Sequence, residues 1–152
     1  MKIVLMFLIF GGCTYIGVQL KHNFFTKKEI YGQLVALCEK YKQEVGFLKT
    51  DVYSAVQKCV ESNSVLNGII NNFFSDDKIN HPQLSESEKQ EVFNFLDGLG
   101  KQDVEGEIKY AEFYKILFEQ KQVKYSEQYE KFGGFSVKMS AIMGLLICII
   151  LA

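Results

Sequence analysis

The chain has 152 residues and a formal charge of −1, with 17 lysines and no arginine. That length suits one ordinary domain, and the charge balance leaves no polybasic footprint for nucleic acid. Without arginine the chain also lacks the planar fork that grips phosphate or carboxylate bidentately.

The first element is apolar from Ile3 to Val18 and closes on Gln19 and Leu20. As a helix, Ile3 to Leu20 covers about 27 Å at ~1.5 Å per residue, close to the ~30 Å of a bilayer's hydrocarbon. Residues 1–20 therefore read as an N-terminal membrane anchor. The competing reading is an exported protein or lipoprotein, because "FGGC" places glycines before Cys13. Phe10 fits poorly in a lipoprotein cleavage motif, and the apolar "TYIGV" continues behind the cysteine.

The middle, residues 21–132, reads as helical. Thr26 and Glu29 have capping-box spacing, ahead of Ile30, Leu34, Leu37, Tyr41, Val45 and Leu48, which step by four or three along one helix face. A second helix starts at Thr50, with Val52, Ala55, Val56, Cys59 and Val60 on a face. A third carries Val65, Leu66, Ile69, Ile70, Phe73 and Phe74. The longest loop holds Pro82, the chain's one proline. Ser85 and Glu88 form another capping box, opening a helix with Val92, Phe93, Phe95, Leu96 and Leu99. Gly98 and Gly100 read as a helix stop. A long helix follows from about Lys101 to Lys131. These five helices, each apolar on one side, must pack as an antiparallel bundle.

Met139 to Ala152 is apolar or small throughout, and a start at Gly133 makes 20 residues with one charge, Lys138. A lysine near a helix end can lift its ammonium to the headgroups. Residues 133–152 thus read as a C-terminal anchor. Ser140 and Gly144 have the spacing that lets membrane helices approach closely, or they serve only as a flexible lipid-facing surface. Lys21, Lys27, Lys28 and Lys131 lie on the inner side of the two anchors and Lys138 near the inner end of the second, which places the middle in the cytoplasm. The expected fold is all-α: a cytosolic antiparallel helical bundle flanked by N- and C-terminal transmembrane helices.

Catalytic patterns do not emerge. His22 and His81 belong to no metal-ligand spacing, and no nucleophile elbow, phosphate loop or dinucleotide fingerprint occurs. Cys13, Cys38, Cys59 and Cys148 make no C-x-x-C pair and read as small buried hydrophobes. No enzyme, cofactor or small-molecule substrate is expected.

"LGKQD" (Leu99, Gly100, Asp103), the long polar helix behind it and a closing Gly-Leu-Leu run resemble the stage III sporulation protein AB family of endospore-forming bacteria. "TYIG" at the end of the first anchor and "EVGF" at Glu44 to Phe47 also agree with it. The chain departs from the family pattern at Glu107, where glutamine is usual, and at Met139 and Ser140, where Leu-Gly is usual. The resemblance implies a platform similar to protein F of type II secretion. Such a platform belongs to the assembly between mother cell and forespore. Its implied partners are the cytosolic ATPase stage III sporulation protein AA and other membrane components of that complex. The ATPase contact is expected on Leu99, Gly100, Asp103 and Glu107. For Asp103 the alternative is a helix cap that holds two core helices in register.

Overall fold

The computed structural model describes residues 2–45, 52–60, 64–76 and 78–151, with the side chains of 2–7, 76, 148 and 151 left aside. Leu48, Thr50 and part of the "EVGF" stretch, along with Asp77, lie outside the described residues. Among those described, the regular elements are all helical: α1 (Lys2–Val45), α2 (Val52–Cys59), α3 (Val65–Asp76), α4 (Glu86–Gly98), α5 (Val104–Gln128) and α6 (Gly134–Leu151). A π-helical turn, Tyr129–Gly133, stands between α5 and α6.

The chain divides into two compact units, residues 27–122 and residues 1–26 with 123–152. These boundaries differ from the expected ones at 20/21 and 132/133. The helix expected to start at Thr26 is not a separate element, because α1 runs through that position. The physical reason is plain: no proline or glycine interrupts "QLKHNFFT". Amides in mid-helix already have partners one turn back, so a capping box there has no orphan donors to satisfy. Thr26 is instead buried.

In the 27–122 unit, Tyr31 packs on Phe118 with centroids 5.9 Å apart, Glu39 pairs with Lys115 at 2.8 Å, and Tyr41 reaches Glu107 at 3.0 Å. Numbers rise along α1 as they fall along α5, so the two helices are antiparallel. Most positions of the apolar stripes fill the core, Ile30, Leu34 and Leu37 from α1, Val56 from α2, Ile69 and Ile70 from α3, Val92 and Phe95 from α4, whereas Phe74 at the end of the α3 stripe is exposed. Two α1 side chains also close the ends of short helices. Gln33 Oε1 accepts from the Leu66 amide at 3.0 Å, and Lys40 Nζ donates to the Cys59 carbonyl at 3.2 Å. Both are groups that an isolated helix leaves without a partner.

At the start of α4 the Ser85–Glu88 capping box forms in both directions. Glu88 also takes a 2.7 Å ion pair from Lys27 of α1, which ties the cap to the bundle. Cys38 and Cys59 are buried, as the sequence predicts, whereas Cys13 is half-buried.

In the other unit the terminal segments form an antiparallel helix pair. Phe25 packs on Tyr129 at 5.7 Å, and Lys21 Nζ stands 5.8 Å from the same ring. A Cβ on Gly17 would meet Ser140 Oγ at 2.5 Å, and one on Gly144 would meet Cys13 Cβ at 3.3 Å. The pair buries only one stripe of each helix, and Leu8, Ile16, Leu145, Ile149 and Ile150 stay exposed, from 53% to 82%. Among the described residues no helix is long and apolar enough to cross a membrane. The segments read as anchors extend beyond the described side chains, at residues 1–7 and at 148, 151 and 152.

Candidate functional site

The turn between α4 and α5 is built from the end of one helix and the start of the next. Leu99 closes α4, donating its amide to the Leu96 carbonyl at 3.3 Å, and its side chain is buried. Gly100 then takes a φ of +79°, in the left-handed region that a side chain strains to reach. A Cβ there would also run into Val52 Cγ2 of α2. Gly98, two residues earlier, leaves room for the Tyr110 hydroxyl, which donates to the Asn94 carbonyl at 2.8 Å. Burial, ahead of the neighbouring Tyr114 hydroxyl, pushes the Tyr110 hydroxyl above its usual range. A tyrosine from α5 thus satisfies a carbonyl at the end of α4.

Asp103 opens α5. Its Oδ1 accepts from the Gly106 amide at 3.2 Å, and its backbone carbonyl accepts from the Glu107 amide at 2.8 Å. That is N-cap geometry, and Glu105 and Glu107 in the first turn favour the positive end of the helix dipole. Glu107 points inward and is only 3% exposed. Its Oε1 accepts from the Gln102 amide and its Oε2 from the Tyr41 hydroxyl, both at 3.0 Å. Burial first, then the charge of Glu107, raises the Tyr41 hydroxyl well above the usual tyrosine range.

Gly100, Asp103 and Glu107 therefore meet in one turn, with different exposures. Gly100 and Asp103 face outward with Gln102, Val104 and Glu105, whereas Leu99 and Glu107 lie inside. The exposed surface of this turn is made by its outward residues, and Glu107 shapes it only through the Gln102 amide it holds. Tyr41 and Gln102, absent from the sequence reading of the site, complete the arrangement. Asp103→Ala is expected to cost about 1 kcal/mol of stability through the lost cap. Asp103→Asn, still an acceptor, should melt within a degree or two of wild type. Thermal unfolding of the three proteins checks this, and equal losses in both variants would contradict the cap.

Ser140 and Gly144 lie in the other unit, where both meet α1: Ser140 against Gly17, and Gly144 against Phe10 and Cys13. An open cavity of about 500 Å³ beside α4 has Lys78, Lys89 and Phe93 in its wall, but Lys89 is already paired with Glu86 at 2.7 Å. Among the described residues no group of three His, Cys, Asp or Glu side chains could hold a metal ion. Comparison with protein-family models, with curated proteins and with solved structures gives no match to this chain.

Proposed function

We propose that the chain is a non-enzymatic membrane platform. In this reading both terminal helices lie in the cell membrane as transmembrane segments, and the 27–122 bundle faces the cytoplasm, where its α4–α5 turn meets an ATPase. The observation that carries the reading is the surface of the terminal unit, where Leu8 is 69% and Ile150 82% exposed. Two helices packed along one stripe each cannot cover their remaining apolar sides, and water penalises such a surface. A bilayer solvates it, and helices satisfy their own backbone there.

The charges fit the same placement. Lys21 and Lys131 sit at the bundle side of the apolar stretches, and Lys138 lies within a helical turn or two of that edge, where its ammonium can reach headgroups. Lysines on the inner flanks favour a cytoplasmic middle. A lipoprotein cut before Cys13 would discard Phe10, one of the side chains packed on Gly144, so the geometry favours an anchor that is kept. The resemblance to stage III sporulation protein AB supplies the rest: a mother-cell location, the stage III sporulation protein AA ATPase, and the other membrane components of that complex.

The detergent-solubilised chain is expected to retain that ATPase through size-exclusion chromatography, while an unrelated two-anchor protein does not. An ATPase that elutes free of the wild-type chain would overturn the coupling.

A further inference from the structure

Glu88 and Glu107 are the two buried carboxylates among the described residues. Glu88 is accounted for by its capping box and by Lys27. Glu107 has no lysine partner among the described ion pairs. Holding an ionised carboxylate in a core is costly unless hydrogen bonds replace the water it has lost. An apolar side chain of the same volume would fill the space at lower cost. What an apolar residue could not do is accept from the Gln102 amide, which belongs to the turn itself. Nor could it take the hydroxyl of Tyr41, 66 residues away in sequence and equally buried.

Building on the platform reading above, we propose that Tyr41 and Glu107 are a positioning pair: from inside the bundle they hold the 100–106 turn in the shape its protein partner recognises. The chain of contacts is short. The Tyr41 hydroxyl fixes one oxygen of Glu107, and the other oxygen fixes the Gln102 amide. Next in sequence, Asp103 is locked by the Gly106 amide. The outward side then presents Val104 between Asp103 and Glu105. An exposed apolar side chain flanked in sequence by two exposed carboxylates suits a partner surface with lysines or arginines beside an apolar patch. Because the turn is already ordered, binding loses nothing to ordering it.

The test uses the full chain in detergent with three variants: Tyr41→Phe, Glu107→Gln and Glu107→Ala. Tyr41→Phe keeps the ring in the core and removes the hydroxyl, with its bond to Glu107 and its backbone contact to Gly100. Glu107→Gln removes the charge but can still accept from Gln102 while its amide donates to the Tyr41 oxygen. Two readouts are taken, amide hydrogen exchange at Gln102 and affinity for the ATPase. Tyr41→Phe is expected to speed Gln102 exchange and weaken ATPase binding by about tenfold, the equivalent of one lost hydrogen bond. Glu107→Ala should do more, and Glu107→Gln should stay within about threefold of wild type in both. A merely structural role would leave affinity unchanged in folded Tyr41→Phe. Faster exchange with wild-type affinity, or unchanged exchange, therefore overturns the pair. A wild-type chain that binds no ATPase overturns the platform reading, and the pair's role in recognition with it. That failure is distinct, because it appears before any variant is compared.

Discussion

Phe118→Ala is expected to lower the melting temperature of the 27–122 unit by about 12–40 °C. Phe118 is 0% exposed. Its ring meets Phe95 edge-on at 5.3 Å, Tyr114 at 5.6 Å and Tyr31 at 5.9 Å, so it joins α1, α4 and α5 at one point. Truncating such a residue removes its transfer free energy and leaves a cavity, together about 3–5 kcal/mol. In a unit of roughly 100 residues each kcal/mol shifts the midpoint by about 4–8 °C. Three aromatic neighbours cannot collapse into the gap without abandoning their own contacts, so relaxation should recover little. Phe113→Ala, on the same helix but 61% exposed, is the control and should stay within about 0.5 kcal/mol of wild type. Circular dichroism of both variants in detergent makes the comparison. Similar losses would mean that α5 does not present Phe118 to the core.

Gly17→Leu is expected to part the two helices of the terminal unit. A Cβ on Gly17 would stand 2.5 Å from Ser140 Oγ and 3.0 Å from the Ser136 carbonyl oxygen. The hydroxyl already donates to that same carbonyl at 2.6 Å, and the carbonyl is backbone, so neither yields cheaply. In the bilayer of the proposed platform the helices have no hydrophobic drive toward one another, and close approach of small residues would supply much of the association. The separation can be read with a thiol already in place. The Cβ of a Gly144→Cys side chain would stand 3.3 Å from Cys13 Cβ, near the 3.5–4.5 Å that disulfides span. With Cys148 replaced by serine, Gly144→Cys should close an internal disulfide under mild oxidation. Adding Gly17→Leu should slow that closure at least tenfold, a shift of about 1.4 kcal/mol in helix association. Gly12→Leu, at a position with open space around it, should leave it unchanged. Equal closure in both would contradict the close approach.

How much of this was legible in the sequence depends on the range of the interactions. The stripes of α1 to α4 follow from a 3.6-residue period, and Ile30, Leu34 and Leu37 lie where the period puts them. The Ser85–Glu88 cap forms because its donors and acceptors are three residues apart. The same signal misled at Thr26, since a capping box shows what could end a helix and not whether the chain breaks there. Gly100 was legible as a stop, while Gly98 yields to Tyr110, a contact that no local pattern reveals. Tyr41 was readable as a core position. Its hydroxyl's partner was not, because the pairing with Glu107 depends on how α1 and α5 pass one another. The spacing of Ser140 and Gly144 reads equally as close packing or as a lipid-facing surface, and it does not name Gly17 of α1, the neighbour that Ser140 meets.

In the proposed platform the apolar terminal helices sit in lipid with the bundle on the cytoplasmic side. Native thiols are poor reporters of it. Cys38 and Cys59 are buried, and burial pushes Cys38 up to about 12 and raises Cys59 as well. Ser87 on α4 is exposed, so a Ser87→Cys chain gives a reactive thiol on the bundle. The decisive measurement is its labelling by a membrane-impermeant maleimide in intact and permeabilised cells, read in alkaline-washed membranes against the unsubstituted chain. The platform predicts a chain that stays in the washed membranes, is silent in intact cells and labels fully after permeabilisation. Labelling in intact cells, or a chain released by the wash, would contradict it.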